Sequence, residues 1–382
     1  MKCFFLNHKR SQRSYKIKEV IKLWLKEGDN NTIFFHKMVN AHSRRNWLSK
    51  LKVNGCWHTE ENDLKNSVVE AFQKLYSEER GWRPCVEGLS FTRLASSEVD
   101  GLEIPFSKGE VFAALSDLGK DKAPGPDGFI IAYWLFCWAM VKIEIMGFFR
   151  EFHERGRFVK PLNATFLVLV PKKRGAEDLK NFRPISLVGS LFKLLAKVLA
   201  NRIKKVKGKV ISESQNAFMK GRQILDVVLI ANEVVDSRLK DNVGGVLCKL
   251  DIEKAYDHVR WSFLLAVFKK IGFGEIWIKW IDWCISTVKF SVLINGFPSG
   301  FFQSSRGLRQ GDPLSPYLFV ITMEVFSCLL RRAISGGFSS GWRVRDRSGE
   351  GVQILHLLFA DDTFVFCEES LDQMTYLSSL LM

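Results

Sequence analysis

Three aspartates stand at the ends of short apolar segments, and their positions suggest metal-dependent chemistry. Asp251 closes the strand-like run Val246–Leu250, and Asp361 with Asp362 forms a turn between two apolar runs of four residues each. Adjacent carboxylates repel each other and need a compensating cation, and Mg²⁺ prefers oxygen ligands of this kind. A third carboxylate on a neighbouring strand would complete a two-metal site, in which one ion activates a hydroxyl and the other stabilises a leaving group. Taken alone, an Asp-Asp pair also fits ordinary hairpin-turn chemistry.

Between these acids lies a segment that could approach a ligand with its backbone. Within Arg306–Pro316, the pair Gln310-Gly311 stands just before a predicted helix. Glycine permits close approach, and the N–H groups of a first helical turn favour an anion. The same residues fit an N-capping loop, with Asp312 as the cap and Pro313 at the first helical position. The two interpretations are compatible with one structure.

The elements that must position these residues alternate between helix and strand without a clean βαβ repeat, so the predicted fold class is α+β. Periodicity predicts helices over residues 14–27, 63–76, 107–118, 190–205, 253–271 and 274–286, and strands over 164–170, 246–250, 290–294, 300–303, 357–360 and 363–366. Asn295-Gly296 predicts a hairpin turn, and 122–128, with two prolines and two glycines, predicts a loop. The apolar run 129–141 predicts a buried core helix, because a membrane span needs about 20 residues.

Charge points to a polyanionic partner. The 382 residues include 56 Lys and Arg against 41 Asp and Glu, a net charge of +15, while 47% hydrophobic residues exclude a mainly disordered chain. Residues 1–60 hold 13 basic against 4 acidic residues, and residues 155–222 hold 17 against 3. Aromatic residues are interleaved in both blocks, as in surfaces that follow phosphates and stack bases. A charged helix face that only keeps the protein soluble is the alternative.

Cysteine spacing and the N-terminal residues bear on the compartment. The eight cysteines contain no Cys-x-x-Cys pair, so no zinc site is evident, and a disulfide framework belongs to shorter secreted chains. The apolar run near the N-terminus has only four residues, too few for a signal peptide. We therefore expect an intracellular protein, nuclear or cytoplasmic, that is not secreted and does not enter a membrane.

Several motifs of this chain, in the order in which they occur, resemble those of reverse transcriptases of LINE-type (non-LTR) retrotransposons, and plant members look most similar. The resemblance covers nearly the whole chain. It is carried by Asp251 with Tyr256, Arg309–Pro316, Phe359–Asp362, Val170–Lys173, Asn181–Leu187, Lys122–Gly128 and Ser214–Phe218, and, for the plant-type linker, by Trp24–Thr32 and Phe34–His36.

The resemblance implies an RNA-directed DNA polymerase that uses two Mg²⁺ or Mn²⁺ ions. Asp251, Asp361 and Asp362 would be catalytic and bind the metals, and the Ile252 carbonyl would assist. The partners would be an RNA template, a DNA primer and deoxynucleoside triphosphates. Phosphoryl transfer depends mainly on positioning and on neutralising charge, which is consistent with these residue types.

The same resemblance assigns the nucleotide pocket. Lys172 and Arg183 would contact the triphosphate, Tyr256 would block a 2′-hydroxyl, and Gln310 with Gly311 would line the pocket. Judged by residue type alone, Lys172 and Arg183 also fit solvated surface charges, and Tyr256 also fits a helix-packing aromatic.

The implied architecture is a right-hand polymerase with fingers and an incomplete palm that carries a catalytic β-hairpin. We expect a basic, mainly helical linker over residues 1–120, fingers over 121–240 and a truncated palm over 241–382, with the reverse transcriptase domain at about 160–382. We also expect the thumb to be missing. The alternative function is a catalytically inactive, nucleic-acid-binding remnant of a retroelement.

Overall fold

A computed structural model describes residues 33, 36–37, 40–41, 46–78, 85–120, 122–345 and 351–381. The helix predicted over 14–27 and most of the basic block 1–60 lie outside the described residues. The remaining chain combines helices with sheets that are mostly antiparallel, so the mixed character predicted from the sequence is confirmed.

Helices and strands alternate along the described residues. The helices are α1 (Glu61–Leu75), α2 (Ser96–Glu103), α3 (Lys108–Ser116), α4 (Ile131–Phe136), α5 (Trp138–Arg155), α6 (Ser190–Val210), α7 (Ile224–Lys240), α8 (Trp261–Ile271), α9 (Glu275–Ser286), α10 (Ser315–Ser335) and α11 (Leu371–Leu381). The strands are β1 (Leu51–Val53), β2 (Cys56–His58), β3 (Ala164–Pro171), β4 (Phe182–Val188), β5 (Val246–Asp251), β6 (Lys289–Ile294), β7 (Phe297–Gln303), β8 (Trp342–Arg345), β9 (Gly351–Ile354), β10 (His356–Phe359) and β11 (Asp362–Cys367). None of these helices has the length and apolar character needed to cross a bilayer.

A four-stranded sheet in the order β4-β3-β6-β7 forms one part of the site. Strands β3 and β6 are parallel, and the other pairs are antiparallel. Thr165, Leu167 and Leu169 alternate onto the buried face of β3, as the period of two in a strand requires. Helix α1 and the β1-β2 hairpin cover this sheet and share its core. Residues that precede the basic block 155–222 therefore complete the core beneath the sheet to which β3 and β4 of that block belong.

A three-stranded antiparallel sheet in the order β10-β11-β5 forms the other part. Asp251 on β5 pairs in register with Asp362 on β11, so the ends of the two strands meet. Helix α7 packs on this sheet through Val227, Ala231 and Val234. The large central core joins α6 with α8, α9 and α10, and it buries Trp277 and Trp280 completely.

The apolar run 129–141 does not form the single buried helix that its composition predicts. The helix is broken at Cys137 into α4 and α5, and Phe136 and Met140 are 86% and 69% exposed. The run is apolar all round, whereas only part of its surface packs on the core, with Ile131 and Cys137 buried. Composition alone overestimated the burial of this segment.

The helix predicted over 253–271 begins eight residues late, at Trp261. Lys254 has a left-handed backbone (φ 53°), which a continuing helix excludes, and Asp257 N donates a hydrogen bond to Lys254 O at 2.9 Å. Residues 252–260 consequently form a series of turns beside the end of β5. These turns, rather than a helix, carry Tyr256.

Candidate active site

The turn of the β10-β11 hairpin brings Asp361 next to the end of β5. The hairpin loop contains only Ala360 and Asp361, because Asp362 is already the first residue of β11. Ala360 has φ 57°, an unfavourable backbone conformation for a residue with a Cβ. Strain of this kind persists only where the surroundings enforce it, and it is concentrated at functional sites.

The surroundings that enforce this turn come from the loop after α6. The Gln215 side-chain oxygen accepts hydrogen bonds from Ala217 N at 2.9 Å and from Ala360 N at 3.2 Å. Asn216 N donates to Leu358 O at 2.9 Å, and Leu358 N donates to Ser214 O at 2.8 Å. The loop thus pairs with β10 and fixes the tip that presents Asp361.

One cleft of about 620 Å³ collects almost all of the residues singled out in the sequence. Eight of the nine line it, namely Lys172, Arg183, Asp251, Ile252, Tyr256, Gln310, Gly311 and Asp361. Asp362 is the ninth and is outside the described lining of the cleft. Its carboxylate lies 3.7 Å from the Lys249 ammonium on the exposed face of the sheet.

Two sheets border this cleft with opposite charge. Lys172 follows β3 and Arg183 lies on β4, and we call these two residues the basic wall. Asp251, Asp361 and the neighbouring Tyr256 come from the other sheet and its turns, and we call them the acidic wall. Lys172 and Arg183 are both exposed, with their side chains open to a bound ligand.

Tyr256 is a rigid member of the acidic wall. Its ring stacks on Phe319 of α10, with a centroid separation of 4.7 Å and an interplanar angle of 14°. Burial and the negative charge of Asp361 raise the pKa of the Tyr256 hydroxyl well above its ordinary value. Tyr256 therefore remains protonated and presents a fixed, neutral surface beside Asp361.

The Gln310-Gly311 pair is held against strand β4. Ser186 N of β4 donates to Gln310 O at 2.7 Å, and a Cβ on Gly311, at φ 99°, would lie 3.1 Å from Ser186 O. Glycine is needed at position 311 both for its backbone conformation and for this contact. The pair lines the cleft from a backbone that is locked to the basic wall.

The neighbouring Arg309 is buried rather than available to a ligand. Its guanidinium is 2.7 Å from the Asp312 carboxylate, donates to Asn163 Oδ1 at 2.5 Å and lies 4.1 Å from the centre of the Phe192 ring. The helix α10 begins at Ser315, with Pro316 in its first turn, so Pro313 is not the first helical position. The expectation that Asp312 caps the helix is also wrong, because its carboxylate bonds Arg309 and Leu314 N instead.

Asp257 is a residue of the cleft that the sequence did not single out. It is buried, lines the cleft, and accepts a hydrogen bond from the Tyr76 hydroxyl at 2.9 Å. Burial raises the pKa of Asp257 to about 6, although the hydrogen bond and the charges of Lys254, Lys172 and Arg306 oppose the rise. Lys172 of the basic wall is thus within electrostatic reach of this turn. The partner, Tyr76, directly follows α1 and is distant in sequence, so no local pattern could have identified it.

The proline-rich loop 122–128 also supports the site. The carboxylate of Asp127 accepts hydrogen bonds from Ser190 N and Ser190 Oγ, both at 2.5 Å, and thereby caps α6. A Cβ on Gly125 would lie 2.4 Å from the Val188 carbonyl. The loop packs directly on the junction of β4 and α6, next to the basic wall, which a turn prediction alone does not reveal.

The cleft offers oxygen ligands suited to a hard divalent cation. Asp251 and Asp361 line it together with Ile252, whose carbonyl is a further candidate ligand. Within the part of the chain that the structure describes, no three His, Cys, Asp or Glu side chains are grouped as a ready metal site. The donor chemistry fits the metal, while the third carboxylate, Asp362, is directed toward Lys249.

Comparison with known proteins adds an independent observation. The family described as reverse transcriptase (RNA-dependent DNA polymerase) matches residues 170–381, more than half of the chain. The transposon TX1 uncharacterized 149 kDa protein of Xenopus laevis is 25% identical over 346 residues, 88% of this chain and 26% of that protein. The Pol polyprotein of the type-1 retrotransposable element R2 of Popillia japonica is 26% identical over 260 residues, 68% of this chain and 34% of that protein.

A third relative carries an enzyme name. The RNA-directed DNA polymerase from mobile element jockey of Drosophila funebris is 28% identical over 227 residues, 57% of this chain and 24% of that protein. The chain thus spans about a quarter to a third of the length of these curated relatives.

Proposed function

Because the chain belongs to the reverse transcriptase (RNA-dependent DNA polymerase) family, we propose that it forms the nucleotidyl-transfer core of a LINE-type, non-LTR retrotransposon polymerase. Its substrates would be an RNA template, a DNA primer and deoxynucleoside triphosphates. The observation that carries the proposal is the cleft in which the basic wall and the acidic wall meet. A nucleotide with phosphates at one end and a reacting centre at the other needs both kinds of surface.

In this proposal, residues 121–240 are the fingers and residues 241–382 belong to the palm, with β10-β11 as the catalytic hairpin. Among the described residues before position 121, α1 packs on the four-stranded sheet, and Tyr76, which follows α1, donates a hydrogen bond to Asp257. This assignment is supported by the two sheets that border the cleft.

The incoming nucleotide is held from both sides. Lys172 and Arg183 bind the triphosphate as charge-assisted hydrogen-bond donors. The backbone of Gln310 and Gly311 contacts the nucleotide from the lining of the cleft. The Tyr256 ring, fixed against Phe319, occupies the space that a 2′-hydroxyl would require, which selects deoxynucleotides. These residues position the reactants, and positioning accounts for much of the rate in phosphoryl transfer.

Divalent cations would be held by Asp251, Asp361 and the Ile252 carbonyl, with Asp362 as a further ligand. When bound, they supply activation of the primer hydroxyl and neutralisation of the charge that develops on the leaving pyrophosphate. Asp362 can serve only if its carboxylate turns away from Lys249, 3.7 Å distant. The strained Ala360 turn holds Asp361 in place before any substrate arrives.

Primer extension on an RNA template tests this function. We expect extension that requires Mg²⁺ or Mn²⁺ and is abolished by Asp361→Asn or Asp251→Asn, because each change removes an anionic metal ligand. Glu253→Gln is the matched control, since it removes one negative charge from the same cleft without touching the proposed ligands. Extension by the Asp361→Asn protein would refute the metal assignment.

A binding titration separates the enzyme from an inactive remnant. Affinity for primer–template should fall linearly on a log–log salt plot as counterions are released, and it should survive Asp361→Asn. Binding without extension by the unmutated chain would favour the remnant.

A further inference from the structure

A buried tyrosine after α1 is bonded to the turns that carry Tyr256. Tyr76 is 2% exposed, and its ring stacks on Phe290 of β6 with a centroid separation of 5.2 Å and an interplanar angle of 13°. The Tyr76 hydroxyl donates to Asp257 Oδ1 at 2.9 Å. Burial and the charge of Asp257 raise the pKa of this hydroxyl, so it stays protonated and remains a donor. The end of α1 thus holds the residue that directly follows Tyr256.

Residues 304–308 form a second link between Tyr76 and the same turns. Ser305 N donates a hydrogen bond to Tyr76 O at 2.9 Å. Three residues later, Leu308 N donates to Tyr256 O at 2.8 Å. Tyr76 is therefore bonded to the side chain that follows Tyr256 and to the segment that holds the Tyr256 backbone.

Gly307 lies where this segment passes between Tyr76 and the turns. It has φ 92°, and a Cβ there would lie 2.8 Å from the Tyr76 ring and 3.0 Å from Asp257 O. Glycine is needed for both the backbone conformation and the close approach. The segment then continues through Arg309 into the Gln310-Gly311 pair. Tyr76 consequently packs beneath two parts of the proposed nucleotide pocket.

The turns at 252–260 need such outside contacts to fix their position. A helix would hold Tyr256 through its own i→i−4 hydrogen bonds, but α8 begins only after these turns. A ring that selects substrates by excluding one oxygen atom must be held to within about 0.5 Å. Phe319 supports the ring by stacking. The contacts of Tyr76 with Asp257 and with the neighbouring segment hold the backbone from which that ring projects.

We propose that Tyr76 is a positioning residue that sets the preference for deoxynucleotides, because it holds Asp257 and thereby the backbone of Tyr256. The inference deepens the proposed function and rests on it. Asp257 is 1% exposed, so it acts through the neighbouring Tyr256 rather than on the nucleotide itself. Tyr76 precedes Asp257 by 181 positions, so a region before the proposed fingers contributes to substrate selection.

The first test compares a deoxynucleotide with the matching ribonucleotide in single-nucleotide primer extension. Tyr76→Phe should lower the ratio of the two kcat/KM values about 5- to 50-fold, because loss of the hydrogen bond to the carboxylate lets the turn move. The change should come mainly from a lower KM for the ribonucleotide. Tyr133→Phe, at a half-exposed position on α4, is the matched control and should leave the ratio unchanged. An unchanged ratio for Tyr76→Phe would overturn the proposal.

Variants of Asp257 test whether the hydrogen bond itself is responsible. Asp257→Asn keeps an oxygen that accepts from the Tyr76 hydroxyl, so it should retain the preference for deoxynucleotides. Asp257→Ala should lose the preference as Tyr76→Phe does, and combining these two changes should cause little further loss, because both remove the same bond. Additive losses, or an Asp257→Asn protein as unselective as Asp257→Ala, would contradict the assignment.

A further variant distinguishes positioning from a general loss of stability. Val53→Ala removes buried apolar atoms from the core that Val53 shares with Tyr76. It should lower the free energy of unfolding and leave the nucleotide preference unchanged. If Val53→Ala lowers the preference as much as Tyr76→Phe does, Tyr76 acts only through stability and the proposal is wrong.

Amide hydrogen exchange tests the positioning without requiring catalysis. Tyr76→Phe should speed exchange in residues 252–260 and 304–308 and leave the β10-β11 hairpin unchanged. Unchanged exchange at 252–260 would overturn the inference whether or not the protein extends a primer. Faster exchange in Tyr76→Phe, with no extension by the unmutated protein, contradicts the proposed function and supports the positioning contact. Extension with an unchanged nucleotide preference in Tyr76→Phe contradicts only the inference.

Discussion

The basic wall and the acidic wall of the cleft differ in how firmly the fold holds them. Lys172 and Arg183 are exposed side chains on and beside the edge strand β4, placed mainly by the backbone. Asp361 and Tyr256 are held by a strained turn, a buried glutamine and a stacked ring. The wall proposed to perform the chemistry is thus preorganised, while the wall proposed to capture phosphates keeps long, adaptable side chains.

Arg309→Met should have the largest effect on stability, because it leaves the buried Asp312 carboxylate without its partner. We expect a loss of about 3–5 kcal/mol in the free energy of unfolding, measured in urea. Arg155→Met provides the control, since Arg155 pairs with Glu151 on the exposed surface of α5. That change should cost about 0.3–0.5 kcal/mol. Similar losses of unfolding free energy for the two variants would mean that the buried pair of Arg309 and Asp312 stabilises the fold no more than a surface pair does.

Asp257→Asn should change how stability depends on pH. The folded-state pKa of Asp257, about 6, lies above the ordinary value of 3.8, so the folded protein favours the protonated form. Its stabilising contribution is present below pH 4 and is lost as the pH rises through 6. Relative to Asp257→Asn, the unmutated protein should lose about 1–3 kcal/mol between pH 4 and pH 7. Urea unfolding of both proteins at pH 4, 5, 6 and 7 measures this loss. If the free energy of unfolding depends on pH in the same way in both proteins, the prediction is contradicted.

Lys172→Gln should have the smallest effect on stability and a clear effect on substrate capture. The side chain is exposed, so we expect the free energy of unfolding to change by less than about 0.5 kcal/mol. The KM for the nucleotide should rise about 10- to 100-fold in primer extension, because a charged hydrogen bond to phosphate is lost. Lys173→Gln is the control, since Lys173 lines a different cavity. An equal rise in KM for both variants would contradict the assignment of Lys172 to the basic wall.

Local patterns predicted much of the framework. Residues of β5, the hairpin at Asn295-Gly296 and the helix α6 were all predicted, because each depends on a short-range signal of periodicity or turn type. The structure also brings eight of the nine predicted site residues to one cleft, and their roles stay predictions.

What the sequence could not supply depends on distant contacts. The hydrogen bond between Tyr76 and Asp257 joins residues 181 positions apart, and it accompanies the turns that replace the predicted start of α8. The ion pair of Arg309 diverts Asp312 from the capping role that its position suggests. The ion pair of Asp362 with Lys249 also joins two distant parts of the sequence, and the metal-binding role expected for Asp362 stays a prediction.

The four-stranded sheet has a consequence for the order of events during synthesis on the ribosome. Leu48 N donates to the Asn295 side chain at 2.8 Å, and the Asn295 amide donates back to Leu48 O at 3.0 Å, across 247 positions. At roughly 5–20 residues per second, the β1-β2 hairpin and α1 wait about 10–50 s for this partner to be made. Throughout that interval the apolar face of α1, including Leu64, Val68 and Phe72, lacks the strand β6 against which it packs. A nascent chain of this protein therefore exposes this apolar face throughout that interval, and a chaperone that binds there would act before the cleft exists.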